Sequence, residues 1–297
     1  MDRLIRCITK SGGIMACAAD TTYLVATAQQ IHGMHAVGTA ALGRLLTGAS
    51  MMGALLKTDR ATLQLKVNGG GPLGVLTAIA DHRGNCRGTV SHPEVEVPLK
   101  QNGKLDVGAA VGRNGLLGVM REDGEGHPYT GQVRLMSGEI AEDLASYFAV
   151  SEQIPTVCAL GVLVGKEDRT QLLAGGLLVQ VMPGATEQEI DQLEQNARIL
   201  PQVTTMLAQG LSIEDMCSRV LAGLPFEQLS SSPIAYTCTC SRVRVERALL
   251  SLKPQEILSL AQEDGFAEAR CQYCGHVYRF SKAELQQIAD KLPDGRR

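Results

Sequence analysis

Four of the nine cysteines fall in the last fifth of the 297-residue chain, as Cys238-Thr239-Cys240 and Cys271-Gln272-Tyr273-Cys274, two close pairs separated by thirty residues. Two short-spaced thiol pairs brought together by an intervening segment match a tetrathiolate zinc site, because Zn²⁺ takes four ligands in a tetrahedron with sulfur at about 2.3 Å. Structural zinc contributes ~10 to 16 kcal/mol of apparent binding free energy in small zinc peptides, where it is folding free energy. Thiolate is also the form of cysteine that attacks oxidants, so sulfurs that hold a metal can remain ready to react. Oxidation to disulfides would release the metal and remove the staple together.

The residues alone leave the metal's purpose open. Most tetrathiolate sites are purely structural, and a zinc ribbon for nucleic acid is the familiar case. Against that use, residues 233–297 hold ten basic and eight acidic side chains, with no basic stripe interleaved with aromatics. A thioredoxin-like dithiol is a second alternative, but one CxxC paired with a CxC speaks for metal. Haem attachment fails because His276 stands one residue too late for C-x-x-C-H. With four sulfurs available, His276 is expected near the metal or in solvent rather than as a ligand.

The elements that must position these sulfurs follow from patterning. After Cys240 a helix carries Val245, Leu249 and Leu252, and a second opens at Pro254 with Ile257, Leu258 and Ala261, stopping near Gly265. A short strand leads into the CxxC, where Gly275 suits a metal knuckle. Tyr278 and Phe280 form the return strand. Ser281 with Glu284 caps a last helix bearing Leu285, Ile288 and Leu292. So few large apolar side chains make a marginal domain without a staple.

Upstream, residues 183–232 carry seven acidic and two basic residues. Thr186 and Glu189 form a capping box before Ile190, Leu193, Ala197 and Leu200, which share one helical face. Pro201 interrupts, and Val203, Met206 and Leu207 resume. Ser212 then caps a helix with Ile213, Met216, Val220 and Leu221. These amphipathic helices have no core of their own, so their apolar faces must lie on the neighbouring domain. Ser230-Ser231-Ser232-Pro233 reads as a hinge into the cysteine module.

The first 182 residues read as strands with a few helices. Leu4–Thr9 and Ile14–Ala19 form a hairpin about Lys10–Gly13, which sets aside the lipoprotein-like box Ile14-Met15-Ala16-Cys17. Val37–Leu56 is long enough to span a bilayer, but Arg44 near its centre and its many small residues indicate a buried helix of a soluble core. Leu63, Leu65 and Val67 alternate in a strand. The turn Asn68-Gly69-Gly70-Gly71-Pro72 then leads into a second strand rather than a helix, which argues against a phosphate loop. Glu139–Val150 looks helical, with Ile140, Leu144, Tyr147 and Phe148 on one side. Val157–Val164 and Leu172–Met182 look like buried strands.

Composition fits this picture: 44% apolar and 20% charged residues describe a folded globular chain, and a net charge of −3 gives no pull toward nucleic acid or anionic membrane. Several cysteines lie within apolar runs, which suits a reducing, cytosolic compartment. The expectation is an α+β protein with a mixed β-sheet core domain and helices over 1–182, an amphipathic helical linker over 183–232 and a small zinc-binding domain over 233–297.

The run Glu263-Asp264-Gly265-Phe266-Ala267-Glu268-Ala269-Arg270-Cys271-Gln272-Tyr273-Cys274, with Tyr278, Phe280, Glu284-Leu285 and the upstream CxC, resembles the tail of the redox-regulated 33 kDa heat-shock protein family, also called HslO. Further matches run through the chain: Ala41-Leu42-Gly43-Arg44, Gly70–Gly74, Tyr129-Thr130-Gly131, Ser151–Pro155, Gly175-Gly176 with Gln180, and Pro183-Gly184. The resemblance implies a cytosolic, ATP-independent holdase that is inactive when reduced and zinc-bound, and not an enzyme. It implies one Zn²⁺ held by Cys238, Cys240, Cys271 and Cys274. Oxidation then joins Cys238 to Cys240 and Cys271 to Cys274, releases zinc, loosens tail and linker, and exposes apolar surface to unfolding client proteins, in a homodimer. Neither nucleic acid nor membrane is expected as a partner. The chain departs from the family's minimal pattern in its extra cysteines. Cys7, Cys17, Cys86 and Cys158 are expected as buried small hydrophobes, whereas Cys217, in the linker, could form mixed disulfides or link two chains.

Overall fold

The computed structural model of the chain describes residues 1–126, 128–165, 172–261 and 265–291. It divides into two compact units, Met1–Thr237 and Cys238–Arg297.

The first unit opens with the expected hairpin, β1 (Arg3–Thr9) and β2 (Ile14–Asp20). Helices α1 (Thr22–His32) and α2 (Ala36–Gly53) follow. The segment long enough to span a bilayer is thus α2, and every residue in it except Ala36 and Arg44 is buried in protein. Its Ala, Gly, Ser and Thr side chains let strands of both sheets approach it. Arg44 donates to Glu139, which also accepts from Lys100. Among the described residues no helix is long and apolar enough to cross a membrane.

A second set of elements comprises β3 (Thr62–Asn68), β4 (Val75–Asp81), β5 (Cys86–Val90), α3 (Val107–Val111), β6 (Leu116–Glu122) and β7 (Pro128–Arg134). Its strands form an antiparallel sheet in the order β5-β4-β3-β6-β7. The glycine-rich turn between β3 and β4 lies on the end of α3. Gly71 and Leu73 N–H groups each donate to α3 carbonyls at 3.0 Å. A Cβ on Gly71 would stand 2.4 Å from the Val111 carbonyl carbon, so backbone-on-backbone packing requires glycine there. These N–H groups serve protein acceptors rather than a phosphate.

Helix α4 (Ala141–Tyr147) runs into a π-helical turn, Phe148–Glu152, and Ile140, Leu144, Tyr147 and Phe148 are all buried. Strands β8 (Thr156–Val164) and β9 (Leu172–Val181) then complete a sheet with β1 and β2. The next segment supplies α5 (Glu187–Ile199), α6 (Val203–Ala208), α7 (Ile213–Val220) and β10 (Phe226–Pro233). Both expected caps are present: Thr186 accepts from Glu189 N–H and Ser212 from Asp215 N–H.

The Ser230–Pro233 stretch, read from sequence as a hinge, is instead the end of strand β10, paired antiparallel with β1. As the edge strand of the order β10-β1-β2-β9-β8 it needs no apolar pattern, because its backbone bonds hold it while most of its side chains face water.

This sheet is apolar on both faces, and side-chain alternation separates them. Cys17 and Ala19 of β2 face the large core around α2, with Leu4 and Leu178. Ile14, Ala16 and Ala18 face the other way, with Ile5, Cys7, Leu177 and Val179. There they meet Leu193, Val203, Met206, Ile213, Met216, Cys217 and Val220 of α5, α6 and α7. The acidic helices are therefore the cover of one sheet face.

The second unit contains α8 (Arg242–Leu249), α9 (Pro254–Ser259), β11 (Phe266–Arg270), β12 (Val277–Ser281) and α10 (Lys282–Asp290). Leu252 lies beyond the end of α8, and α9 ends at Ser259, before the expected stop at Gly265. Ser281 caps α10 as its sequence predicts, and Leu292 lies outside the described residues. The buried core is small: Ile257, Ala261, Phe280, Leu285, Ile288 and Ala289.

Candidate metal centre

Strands β11 and β12 pair from Phe266↔Ser281 to Arg270↔Val277, so the CxxC occupies the hairpin loop between them. The loop is closed by Cys271 N–H to the His276 carbonyl and Gly275 N–H to the Cys271 carbonyl, both at 2.9 Å. Gly275 adopts φ +72°, the left-handed conformation that a residue without Cβ takes freely, and this turns the loop's N–H groups inward. Those of Tyr273 and Cys274 bond to the Cys271 sulfur, and that of His276 bonds to Cys274. The CxC forms the other wall just before Ser241, which caps α8 by accepting from Arg244 N–H. There the Cys240 N–H bonds to the Cys238 sulfur.

All four sulfurs lie within 4.8 Å of one another. Two of the pairs span the two motifs, Cys238 Sγ to Cys271 Sγ at 3.7 Å and Cys240 Sγ to Cys274 Sγ at 3.4 Å. A regular tetrahedron with metal–sulfur bonds of about 2.3 Å has edges of about 3.8 Å, so the spacing fits one zinc-sized cation.

Electrostatics point the same way. Burial works to raise the Cys271 thiol, but the Tyr273 and Cys274 N–H groups and the neighbouring sulfurs outweigh it and bring it down to about 7. Cys274 is pushed up to about 12, first by burial and then by the other sulfurs. Cys238 is also raised, chiefly by burial. Four crowded sulfurs thus resist joint ionisation, and only a cation among them lets all four be thiolates together.

The sequence did not single out the surroundings of this cluster. Tyr278 points its hydroxyl at Cys240 Sγ, 3.1 Å away, and this bond is the main reason its own ionisation is pushed up to about 12. Its ring also packs against the small core, so one side chain touches both the sulfurs and the apolar cluster. The alternating β12 pattern placed Tyr278 on the buried side, but nothing local showed its hydroxyl reaching a cysteine. Arg242 stacks on Phe280 at 4.2 Å and donates to Glu284, fastening α8 to α10. His276 is exposed, lies edge-on to Tyr278, and is outside the four-sulfur cluster.

The remaining cysteines lie elsewhere. Cys7, Cys17 and Cys86 are buried on β1, β2 and β5, and Cys158 is half-buried on β8. Cys217 on α7 is fully buried.

Comparison with known proteins places this architecture. The family described as Hsp33 protein matches residues 2–281. The 33 kDa chaperonin of Geobacillus kaustophilus is 43% identical over 287 residues, 97% of either chain. That of Clostridioides difficile is 43% identical over 291 residues, covering 98% of this chain and 99% of the relative. The crystal structure of the 33 kDa chaperonin from Thermotoga maritima superposes with a TM-score of 0.88 at 32% identity, covering 97% of each chain. With a matching family profile, near-full-length relatives, a shared α+β fold and a four-cysteine cluster suited to a metal, the chain belongs to the Hsp33 family of redox-regulated holdase chaperones.

Proposed function

We propose that Cys238, Cys240, Cys271 and Cys274 hold one Zn²⁺ in the reduced protein, and that the chain works as an oxidant-activated holdase in the cytosol. The convergence of the four sulfurs carries this reading. Zinc, when bound, keeps the sulfurs as thiolates and ties the CxC to the CxxC. The six apolar residues buried among the described residues of the tail give it little stability otherwise. A staple of ~10 to 16 kcal/mol is as large as the whole stability of a typical domain.

Oxidation joins Cys238 to Cys240 and Cys271 to Cys274. Each new S–S bond gives two electrons to one peroxide, whose O–O bond breaks. The sulfur separations permit other pairings, but short chain separations favour closure within each motif. Once disulfide-bonded, the sulfurs no longer serve as four thiolate ligands, and residues 233–297 lose their staple. Residues 183–232 act as the linker. The edge strand β10, whose side chains are mostly exposed, peels from β1, and α5 to α7 lift from the sheet. This uncovers Ile5, Ile14, Ala16, Ala18, Leu177 and Val179 together with the helices' own apolar faces. Such a two-sided apolar surface fits unfolded segments of client proteins, and the active species is a homodimer.

The test is suppression of client aggregation by the reduced, zinc-loaded protein and by the same protein after peroxide treatment. Protection only after oxidation supports the reading. Equal protection in both states overturns it. A salt-sensitive affinity for RNA that needs zinc and ignores oxidant would favour a purely structural metal instead.

A further inference from the structure

Cys7 and Cys217 stand 210 positions apart in the chain and meet beneath the linker. Both belong to the apolar layer between the sheet and α5 to α7, where Cys7 is 1% exposed and Cys217 fully buried. On β1, Cys7 shares a face with Ile5, and a β-bulge between Arg6 and Cys7 interrupts the pairing with β10. On α7, Cys217 lies on the same face as Ile213, Met216 and Val220. In that shared layer the two thiols perturb each other's ionisation more than any other group does, as neighbouring sulfurs would. An ion pair between Arg3 and Glu214 at 2.9 Å fastens the same strand to the same helix. Cys17 cannot compete for either sulfur, because alternation along β2 turns it to the opposite face, into the core around α2.

From this juxtaposition we propose that Cys7 and Cys217 form a second redox site, oxidised by hydrogen peroxide to a disulfide that tethers α7 to β1 and opposes release of the linker. The site rests on the contact between the two thiols; its braking effect rests also on the reading that residues 183–232 lift away. Cys217 is held far above the ordinary thiol range by its neighbour Cys7 and by burial, whereas Cys217 lowers Cys7, so Cys7 is the sulfur placed to attack first. The Cys7 thiolate attacks one peroxide oxygen and the O–O bond breaks, leaving a sulfenic acid and hydroxide, which becomes water with the proton from Cys7. The Cys217 sulfur then attacks Cys7 sulfur. Hydroxide leaves with the proton from Cys217 as a second water, and the S–S bond closes. Two thiols have lost two electrons to one peroxide. The enclosure of both sulfurs favours this small uncharged oxidant over bulky disulfides.

Its sense is opposite to that of the tail cysteines. Oxidation there removes a staple, whereas oxidation here adds one, between the sheet and the helix that must leave it. Closing a loop of this length strongly restricts the opened chain.

The full-length, zinc-loaded protein is treated with hydrogen peroxide, blocked with an alkylating agent and digested with trypsin without reduction. The expected product is Cys7–Lys10 joined to Ile199–Arg219, absent from Cys217→Ala. A parallel native digestion after zinc release reads cleavage after Arg198 and Arg219, the two basic residues of the linker. It should be at least about tenfold slower in the wild type than in Cys217→Ala. Free, alkylated Cys7 and Cys217, or either joined to another cysteine, overturns the site. A Cys7–Cys217 link with equal cleavage in the two proteins overturns the brake. If the link forms but neither protein is cleaved in the linker after zinc release, the site stands and the linker reading fails.

Discussion

Met216→Ala asks whether the acidic helices are a cover that lifts or a permanent part of the core. Met216 is fully buried between α7 and the sheet, in the layer with Ile5, Cys7 and Val179. Truncating a buried methionine to alanine costs about 2 to 5 kcal/mol, the spread reflecting how far the cavity collapses. The other ties of α7 to the sheet are weaker. The Arg3–Glu214 pair has side chains 47% and 39% exposed and falls in the class of surface ion pairs, worth under about 1 kcal/mol. If α7 undocks as a unit, the loss falls on docking, and even its lower end raises the lifted population roughly thirtyfold. The reduced, zinc-loaded variant should then be cut by trypsin after Arg198 and Arg219 faster than the wild type by about that factor. It should also show partial holdase activity without oxidant. Leu45→Ala is the control. Leu45 is equally buried but on α2, in the other core, and its loss should lower the melting temperature without selective cleavage of the linker. Wild-type cleavage rates in Met216→Ala, or equal acceleration in Leu45→Ala, would refute the idea of a separately lifting cover.

Three further outcomes are expected. Cys271→Ser should lower zinc content and the melting temperature of the tail and leave the linker partly cleavable in the reduced state; unchanged metal content and melting would contradict the tetrathiolate assignment. Tyr278→Phe removes the hydroxyl that meets Cys240 Sγ and should weaken zinc binding by roughly tenfold in a chelator competition, while an unchanged affinity would reduce that contact to packing. Glu139 supplies a pH dependence: burial works to raise its carboxyl, but Lys100, Arg44 and the Gly108 N–H outweigh it and hold it below its ordinary value of 4.5. A depressed folded value means stabilisation that is present above the unfolded value and lost as pH falls through the folded one. Wild type should therefore exceed Glu139→Gln in unfolding free energy above pH 4.5, with the difference shrinking in more acid solution; a difference constant with pH would refute the ionic role.

What the sequence made legible was local. The caps at Thr186, Ser212 and Ser281 lie three residues from the acids that complete them, and the zinc motifs are readable because each pair of sulfurs is held by its own short loop. The first hairpin and the buried α2 also stand out within single windows. So does the β3–β4 hairpin of the second sheet, but β6 and β7 of that sheet do not. In β6 the inward Leu117 and Val119 alternate with Gly118 and with exposed Leu116 and Met120, which blurs the pattern, and β7 has only a few inward residues. Ser230–Pro233 resembles a hinge because an edge strand is held through its backbone, which composition does not encode. The Tyr278 hydroxyl on Cys240 and the meeting of Cys7 with Cys217 depend on elements far apart in the chain, so neither had a signature in any short stretch.

The most direct test of the latch follows three signals from one sample during peroxide oxidation: zinc captured by a chromogenic chelator, tryptic cleavage after Arg198 and Arg219, and suppression of client aggregation. Loss of zinc, opening of the linker and gain of protection should advance together, and a thiol reductant with added zinc should reverse them together. Protection that arises while zinc stays bound, or zinc loss that leaves the linker closed and clients unprotected, would contradict it.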